Sequence, residues 1–241
     1  MGMLDRIKLN KFFNIVIYIG LSYSPILNNH KKPKLKMKNK FKILIACEFS
    51  GHIREAFIRK GFVNTYSCDL LPSNIASNNH IQGDVLNIIN DNWNLIISHP
   101  PCTYLTRAAA TFAFPKGILD KERYKKTLEA REFFFKFVNC NAKYLCIENP
   151  IPLRIANLPN WTQITSPDKY GDIYQKKTCL WLKNLPKLIE TYQKNKGKTF
   201  MNYYVKGKSY GDKRSITSKF MADEMANQWG NYLLNPIKTL F

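Results

Sequence analysis

Continuous apolar runs alternate along this chain with stretches whose apolar residues recur every three or four positions. Ile43–Cys47 is unbroken apolar sequence, the pattern of a strand buried on both faces of a parallel sheet. Ser50-Gly51 break it. Ile53, Ala56 and Phe57 then fall at helical spacing up to Gly61, a C-terminal stop. Val63–Cys68 predicts a second strand closed by Asp69. Trp93–Ser98 predicts another, ended by Pro100-Pro101. Asp120 caps a predicted helix reaching Asn139, with Tyr124, Leu128, Phe135 and Val138 on one face. Lys143–Ile147 predicts a strand closed by Glu148-Asn149-Pro150, and Cys179–Leu182 a later one. Met221, Ala222, Met225, Ala226, Trp229, Tyr232 and Leu233 form the apolar stripe of a last helix.

Strands alternating with helices predict an α/β fold, a Rossmann-like, doubly wound and mostly parallel sheet. Ligands bind such sheets beyond the carboxyl ends of the strands. The polar punctuation there is Glu48-Phe49-Ser50-Gly51, Asp69, Asp84, His99-Pro100-Pro101-Cys102 and Glu148-Asn149. The fold would gather all of these on one edge.

Charge narrows the partner. The 241 residues carry 37 Lys/Arg against 17 Asp/Glu, a net +20, and 45% are hydrophobic, which excludes a wholly disordered chain. Residues 1–40 hold nine Lys/Arg and one acid, and the remaining 201 hold 28 against 16, a net +12. The body itself is basic and suits a polyanion, nucleic acid first. The apolar stretch Phe12–Leu27 is short and interrupted by Asn14, Ser22 and Ser24, so no membrane span is expected. Residues 1–36 read as an extension outside the core, with the domain running 37–241. The six cysteines are scattered with no Cys-x-x-Cys pair, which points to a reducing cytoplasmic setting without disulfides. Four histidines without ligand spacing suggest no metal.

The first strand-to-helix turn has one glycine and no G-x-G-x-x-G, which weakens a dehydrogenase reading. Gly197-Lys198-Thr199 is not a P-loop, because Tyr192 stands where its first glycine belongs. Asp69, at a strand end, suits ribose hydroxyls, although Asp69 and Asp84 would equally serve as turn residues. Cys102 follows two prolines at a strand exit, so its loop is stiff, and a basic neighbour such as Arg107 favours a thiolate nucleophile. The alternative is a small buried hydrophobe. Glu148 ends an apolar strand. Desolvation there should raise its pKa and suit it to proton donation, unless it serves only as a cap.

Six segments occur in order: Ala46-Cys47-Glu48-Phe49-Ser50-Gly51, Cys68-Asp69-Leu70-Leu71-Pro72, His80-Ile81-Gln82-Gly83-Asp84-Val85, His99-Pro100-Pro101-Cys102-Thr103-Tyr104-Leu105, Ile147-Glu148-Asn149-Pro150 and Thr178-Cys179-Leu180-Trp181-Leu182. Together they resemble the cytosine-C5 DNA methyltransferases, and more closely the small phage-encoded proteins similar to them. The resemblance spans about Lys42 to Asn231.

It implies the class I methyltransferase fold and S-adenosyl-L-methionine as cofactor. Glu48, Phe49, Ser50, Gly51 and Pro100 would form the cofactor pocket, with Asp69 on the ribose and Asp84 on the adenine amine. Cys102 would add to C6 of cytosine and Glu148 would protonate N3. Thr103, Arg107, Asn149 and Lys177 would support the base or its strand. The partner would be DNA, with RNA as the alternative, and the protein would act as a monomer. The chain departs from the family at several places. Ile53 and Arg54 replace further glycines of the cofactor turn, Thr103 replaces Gln, Pro150 replaces Val, and Gln175-Lys176-Lys177 lacks the family's arginines. A short recognition insert at about 183–217 is rich in Lys, Tyr and Gly, including Lys194, Lys198, Tyr203, Tyr204 and Tyr210. Two alternatives stay open: an exocyclic amino methyltransferase, disfavoured by Cys102, and an inactive nucleic-acid-binding protein of the same fold.

Overall fold

The computed structural model describes residues 37–192 and 216–236. The expected extension 1–36 and residues 193–215 of the expected insert lie outside the described residues. Leu185 and Leu188, at the start of that insert, are buried in the core.

Ile43–Ala46 forms β1, and every one of its residues is buried. It lies parallel to β2 (Thr65–Asp69) on one side and to β4 (Leu95–Ser98) on the other. β3 (His80–Gln82) pairs outside β2, and β5 (Tyr144–Pro150) pairs parallel to β4. β7 (Thr178–Lys183) runs antiparallel to β5, and β6 (Gln163–Thr165) antiparallel to β7. The seven-stranded order is β3-β2-β1-β4-β5-β7-β6. This is a Rossmann-like, doubly wound, mostly parallel sheet, as expected.

Strand residues alternate between two apolar layers, as the two-residue period of a strand requires. Ile43, Ile45, Leu95 and Ile97 face α1 (His52–Arg59) and α4 (Lys219–Leu234), meeting Ile53, Phe57, Met225 and Trp229. Leu44, Ala46, Ile96 and Ile147 face the long helix α3 (Lys121–Val138) through Phe134 and Phe137. Between Thr106 and the start of α3 the chain makes only short turns and one helical turn, α2 (Ala110–Ala113). Helices on opposite faces follow from opposite windings about β1 and β4, and this leaves a crevice beyond the carboxyl ends of those two strands. Among the described residues no helix is long and apolar enough to cross a membrane.

Three expectations are corrected. Asp120 does cap α3, its Oδ1 accepting from Arg123 N at 2.8 Å, but the buried face is Thr127, Phe134 and Phe137 rather than the Tyr124–Leu128–Phe135–Val138 line. Thr127 can be buried because its hydroxyl is within 3.1 Å of two carbonyls, those of Tyr104 and Arg123. β5 does not stop before Glu148. Pairing with β7 carries it through Pro150, so Glu148 and Asn149 are strand residues. The short strands β3 and β6 were not expected.

Candidate active site

At the end of β1, Cys47 adopts φ +57 and turns the backbone out of the strand. Glu48, only 4% exposed, folds back under the turn. Its Oε1 accepts from Ile53 N at 2.9 Å and from Ser50 Oγ at 3.1 Å, which satisfies an orphan donor of α1, while Oε2 is buried with no partner among the described residues. Gly51 has φ +76, and a Cβ there would lie 2.7 Å from Arg54 Nη2. Arg54 is fully buried. Its guanidinium bonds Ser67 Oγ (2.6 Å), Ser73 Oγ (3.1 Å), the Ile75 carbonyl (2.8 Å) and Glu55 (2.9 Å). Arg54 thus pins the β2–β3 loop beneath the turn. Phe49 is half-buried, and its carbonyl accepts from Asn74 N of that loop at 2.8 Å. Glu48 and Ser50, expected as pocket residues, spend their described bonds building the turn.

Asp69 and Asp84 each close a tight turn: Oδ1 accepts from Leu71 N and from Leu86 N respectively, both at 2.9 Å. They also share an electrostatic neighbourhood. Burial and then the Asp69 charge push the Cys47 thiol far up, and Asp84 adds to this. The Cys68 thiol is pushed up to about 11 by burial, then by Asp69 and Asp84. Both carboxylates therefore lie around the carboxyl ends of β1 and β2.

The His99–Cys102 loop leaves β4 with His99 N donating to the Ala46 carbonyl at 2.9 Å. Pro100 is buried, and its carbonyl accepts from Asn149 Nδ2 at 2.8 Å. The Cys102 carbonyl accepts from Leu105 N and Thr106 N, both at 3.0 Å, so the cysteine opens a tight turn and is itself half-buried. Beyond it, Arg107 N donates to the Ile151 carbonyl at 2.8 Å and Arg123 Nη2 to the Thr103 carbonyl at 2.9 Å. The loop is clamped between the continuation of β5 and α3. The side chains of Thr103 and Arg107 are exposed. Asn149, expected to meet substrate, is instead 1% exposed and staples the loop.

Glu148 lies beside His99, as the pairing of β4 with β5 requires. Its Oε2 is 3.2 Å from His99 Nδ1, and Oε1 accepts from the Thr178 hydroxyl on β7. Burial alone would raise this carboxyl. The Lys176 charge, followed by the His99 and Thr178 contacts, overrides burial and holds it down at about 2. The expected rise is therefore corrected: Glu148 is held ionised. Lys176, rather than the exposed Lys177, is the cation that acts on it. A cavity beside Glu148 is lined also by Tyr174, Lys176, Thr178, Ser218 and Met221. His52 Nδ1, 2.7 Å from the Thr217 carbonyl, ties the α1 amino end to this wall.

His99, Lys176 and Thr178 were not expected as site residues. His99 and Thr178 stood inside quoted motifs, and Lys176 inside Gln175-Lys176-Lys177, but no spacing rule pairs residues so far apart. Among the described residues no group of three or more His, Cys, Asp or Glu is placed to hold a metal ion.

The fold and the site together define an α/β protein with a polar crevice at the β1/β4 switch point. No family model and no curated protein matches the chain. Among solved structures, one similar chain is described provisionally as a DNA modification methyltransferase encoded within a prophage of E. coli. It is 15% identical with a TM-score of 0.37, over 59% of this chain and 46% of that one. The likeness spans less than half of that protein's length.

Proposed function

We propose that this protein transfers a methyl group from S-adenosyl-L-methionine to C5 of cytosine in DNA, with Cys102 as nucleophile. The observation that carries the reading is the bond from Asn149 Nδ2 to the Pro100 carbonyl. It ties the loop that carries Cys102 to the strand residue next to Glu148, which supports a thiol and a carboxylate from distant sequence serving one site.

The turn suits the cofactor. Gly51 holds the turn in its left-handed bend at φ +76, Glu48 Oε2 is a buried acceptor without a partner among the described residues, and Asp69 and Asp84 flank the same strand ends. Asp69 would hold the ribose hydroxyls and Asp84 the adenine amine, beside Phe49 and Pro100. When bound, the cofactor supplies an electrophilic methyl group on a sulfonium. Cys102 Sγ bonds to C6, which makes C5 nucleophilic, and C5 takes the methyl. Loss of the C5 proton then returns electrons to the C5–C6 bond and expels Cys102. Glu148 accepts from the 4-amino group and, once protonated, donates to N3. The base must be flipped out or single-stranded to reach these groups. Thr103 and Arg107, exposed on the loop, would meet the flanking strand, with the basic body on its phosphates.

The ionised state of Glu148 favours a second reading, amino methylation, in which a carboxylate accepts the amino proton. One experiment separates the two. DNA carrying 5-fluorocytosine should give a denaturation-resistant adduct with the native protein and none with Cys102→Ala, and digested product should carry 5-methylcytosine. N4-methylcytosine without an adduct would replace the C5 reading.

A further inference from the structure

We propose that His99 is a positioning residue that delivers and withdraws the proton of Glu148, a role that rests on the C5 reading above. A carboxylate held as an anion cannot donate to N3. The reaction therefore needs a proton carried to it, and His99 is an imidazole within hydrogen-bond distance of it. His99 Nδ1 is 3.2 Å from Glu148 Oε2, while Oε1 is occupied by the hydroxyl of Thr178, which does not titrate in this range. The imidazole is only 9% exposed. It is fixed at the switch point by its own backbone bond to the Ala46 carbonyl. Its Nε2 is buried with no partner among the described residues, so the ring's second nitrogen is left for a proton or for an arriving group.

Lys176, Cys146 and Cys179 do not supply the proton. Lys176, on the segment entering β7, acts on Glu148 through its charge and stabilises the anion. Cys146 on β5 is pushed well up by burial and by Glu148, and Cys179 on β7 is pushed up to about 12 by the same two causes. Both remain thiols. The transfer itself balances. The Nδ1–H bond of a protonated His99 breaks as the Oε2–H bond of Glu148 forms, converting an ion pair into a neutral pair. As Cys102 Sγ bonds to C6, that proton moves on to N3. When the thiolate leaves, N3 returns the proton to Glu148 and thence to His99. Moving the charge within a fixed pair, rather than to solvent, requires no new charge in the closed site.

His99→Gln tests this, because a glutamine amide can still donate toward Glu148 but cannot titrate. Methyl transfer and adduct formation on 5-fluorocytosine DNA are followed from about pH 5 to pH 9, with cofactor binding and thermal unfolding as controls. The variant should keep a single cooperative unfolding transition and bind cofactor equally. It should turn over about 100-fold more slowly, and lose the parent's fall in rate on the alkaline side. A His99→Gln profile that tracks the parent within about twofold overturns the role of His99 and leaves the C5 reading standing. A parent that forms neither adduct nor 5-methylcytosine overturns both. A second readout needs no turnover. In protein labelled with 13C-glutamate, the Glu148 carboxyl should report a second titration step that vanishes in His99→Gln, and its absence from the parent would refute the coupling.

Discussion

Glu148→Gln is the most informative single change, because it removes a charge whose worth follows from the structure. The carboxyl side chain is 13% exposed, yet it is held from an ordinary 4.5 to about 2 by Lys176, His99 and Thr178 against the opposing effect of burial. That depression corresponds to about 3 kcal/mol of folding stability at pH 7. The sign follows from proton counting. The folded state holds the carboxylate more weakly protonated than the unfolded chain does, so the contribution is complete above about pH 5. It declines as acid protonates the unfolded form and is gone below about pH 2, with about 2 kcal/mol lost by pH 3. The glutamine variant keeps an acceptor for Thr178 but never has the charge. Urea unfolding of both proteins at pH 7, 5, 4 and 3 should show the parent more stable at neutrality and the gap narrowing by about 2 kcal/mol at pH 3. Other acid-titrating groups are common to both proteins and cancel in the difference. A gap that stays constant across this range would refute the account of Glu148 as an anion stabilised by its neighbours.

Asn149→Leu should leave the Pro100 carbonyl without its donor, cost about 1–3 kcal/mol in denaturant unfolding, and lower methyl transfer more than cofactor affinity. Equal stability and activity would show that the staple does not position Cys102. Gly51→Ala places a Cβ at φ +76 and 2.7 Å from Arg54 Nη2, so it should destabilise by about 1–3 kcal/mol and weaken the hold of Arg54 on the β2–β3 loop. Unchanged unfolding with unchanged cofactor affinity would contradict this. Asp69→Ala should weaken S-adenosyl-L-methionine binding measured by calorimetry by about 10–100-fold, as loss of a charged hydrogen bond to a ribose hydroxyl predicts. Unaltered affinity would remove Asp69 from the ribose.

The alternation of buried strands and helices was legible because parallel strands covered on both faces are apolar throughout, as in Ile43–Ala46 and Leu95–Ser98. The last helix was legible from the stripe running from Met221 to Leu233. β3 and β6 were not, because three-residue strands such as His80–Gln82 and Gln163–Thr165 are too short and too polar to carry a period. The inner face of α3 was misassigned because Thr127 reads as polar until the Tyr104 and Arg123 carbonyls are known to accept from it.

The chain by itself determined that Asp69, the His99–Cys102 loop and Glu148 follow apolar runs, whose burial is a local matter of composition. Tertiary structure alone decided what those groups are. Burial of Glu148 was legible and argued for a raised pKa, but Lys176 and Thr178 reach it across β7 and His99 across β4, and their charge and hydrogen bonds reverse the sign. In the same way Asn149 became a staple rather than a substrate contact because β5 continues beside β7 and turns its amide onto Pro100. Desolvation follows from a residue's own surroundings along the chain, whereas Coulomb attraction and hydrogen bonding depend on distances of a few ångströms that only the pairing of remote strands sets.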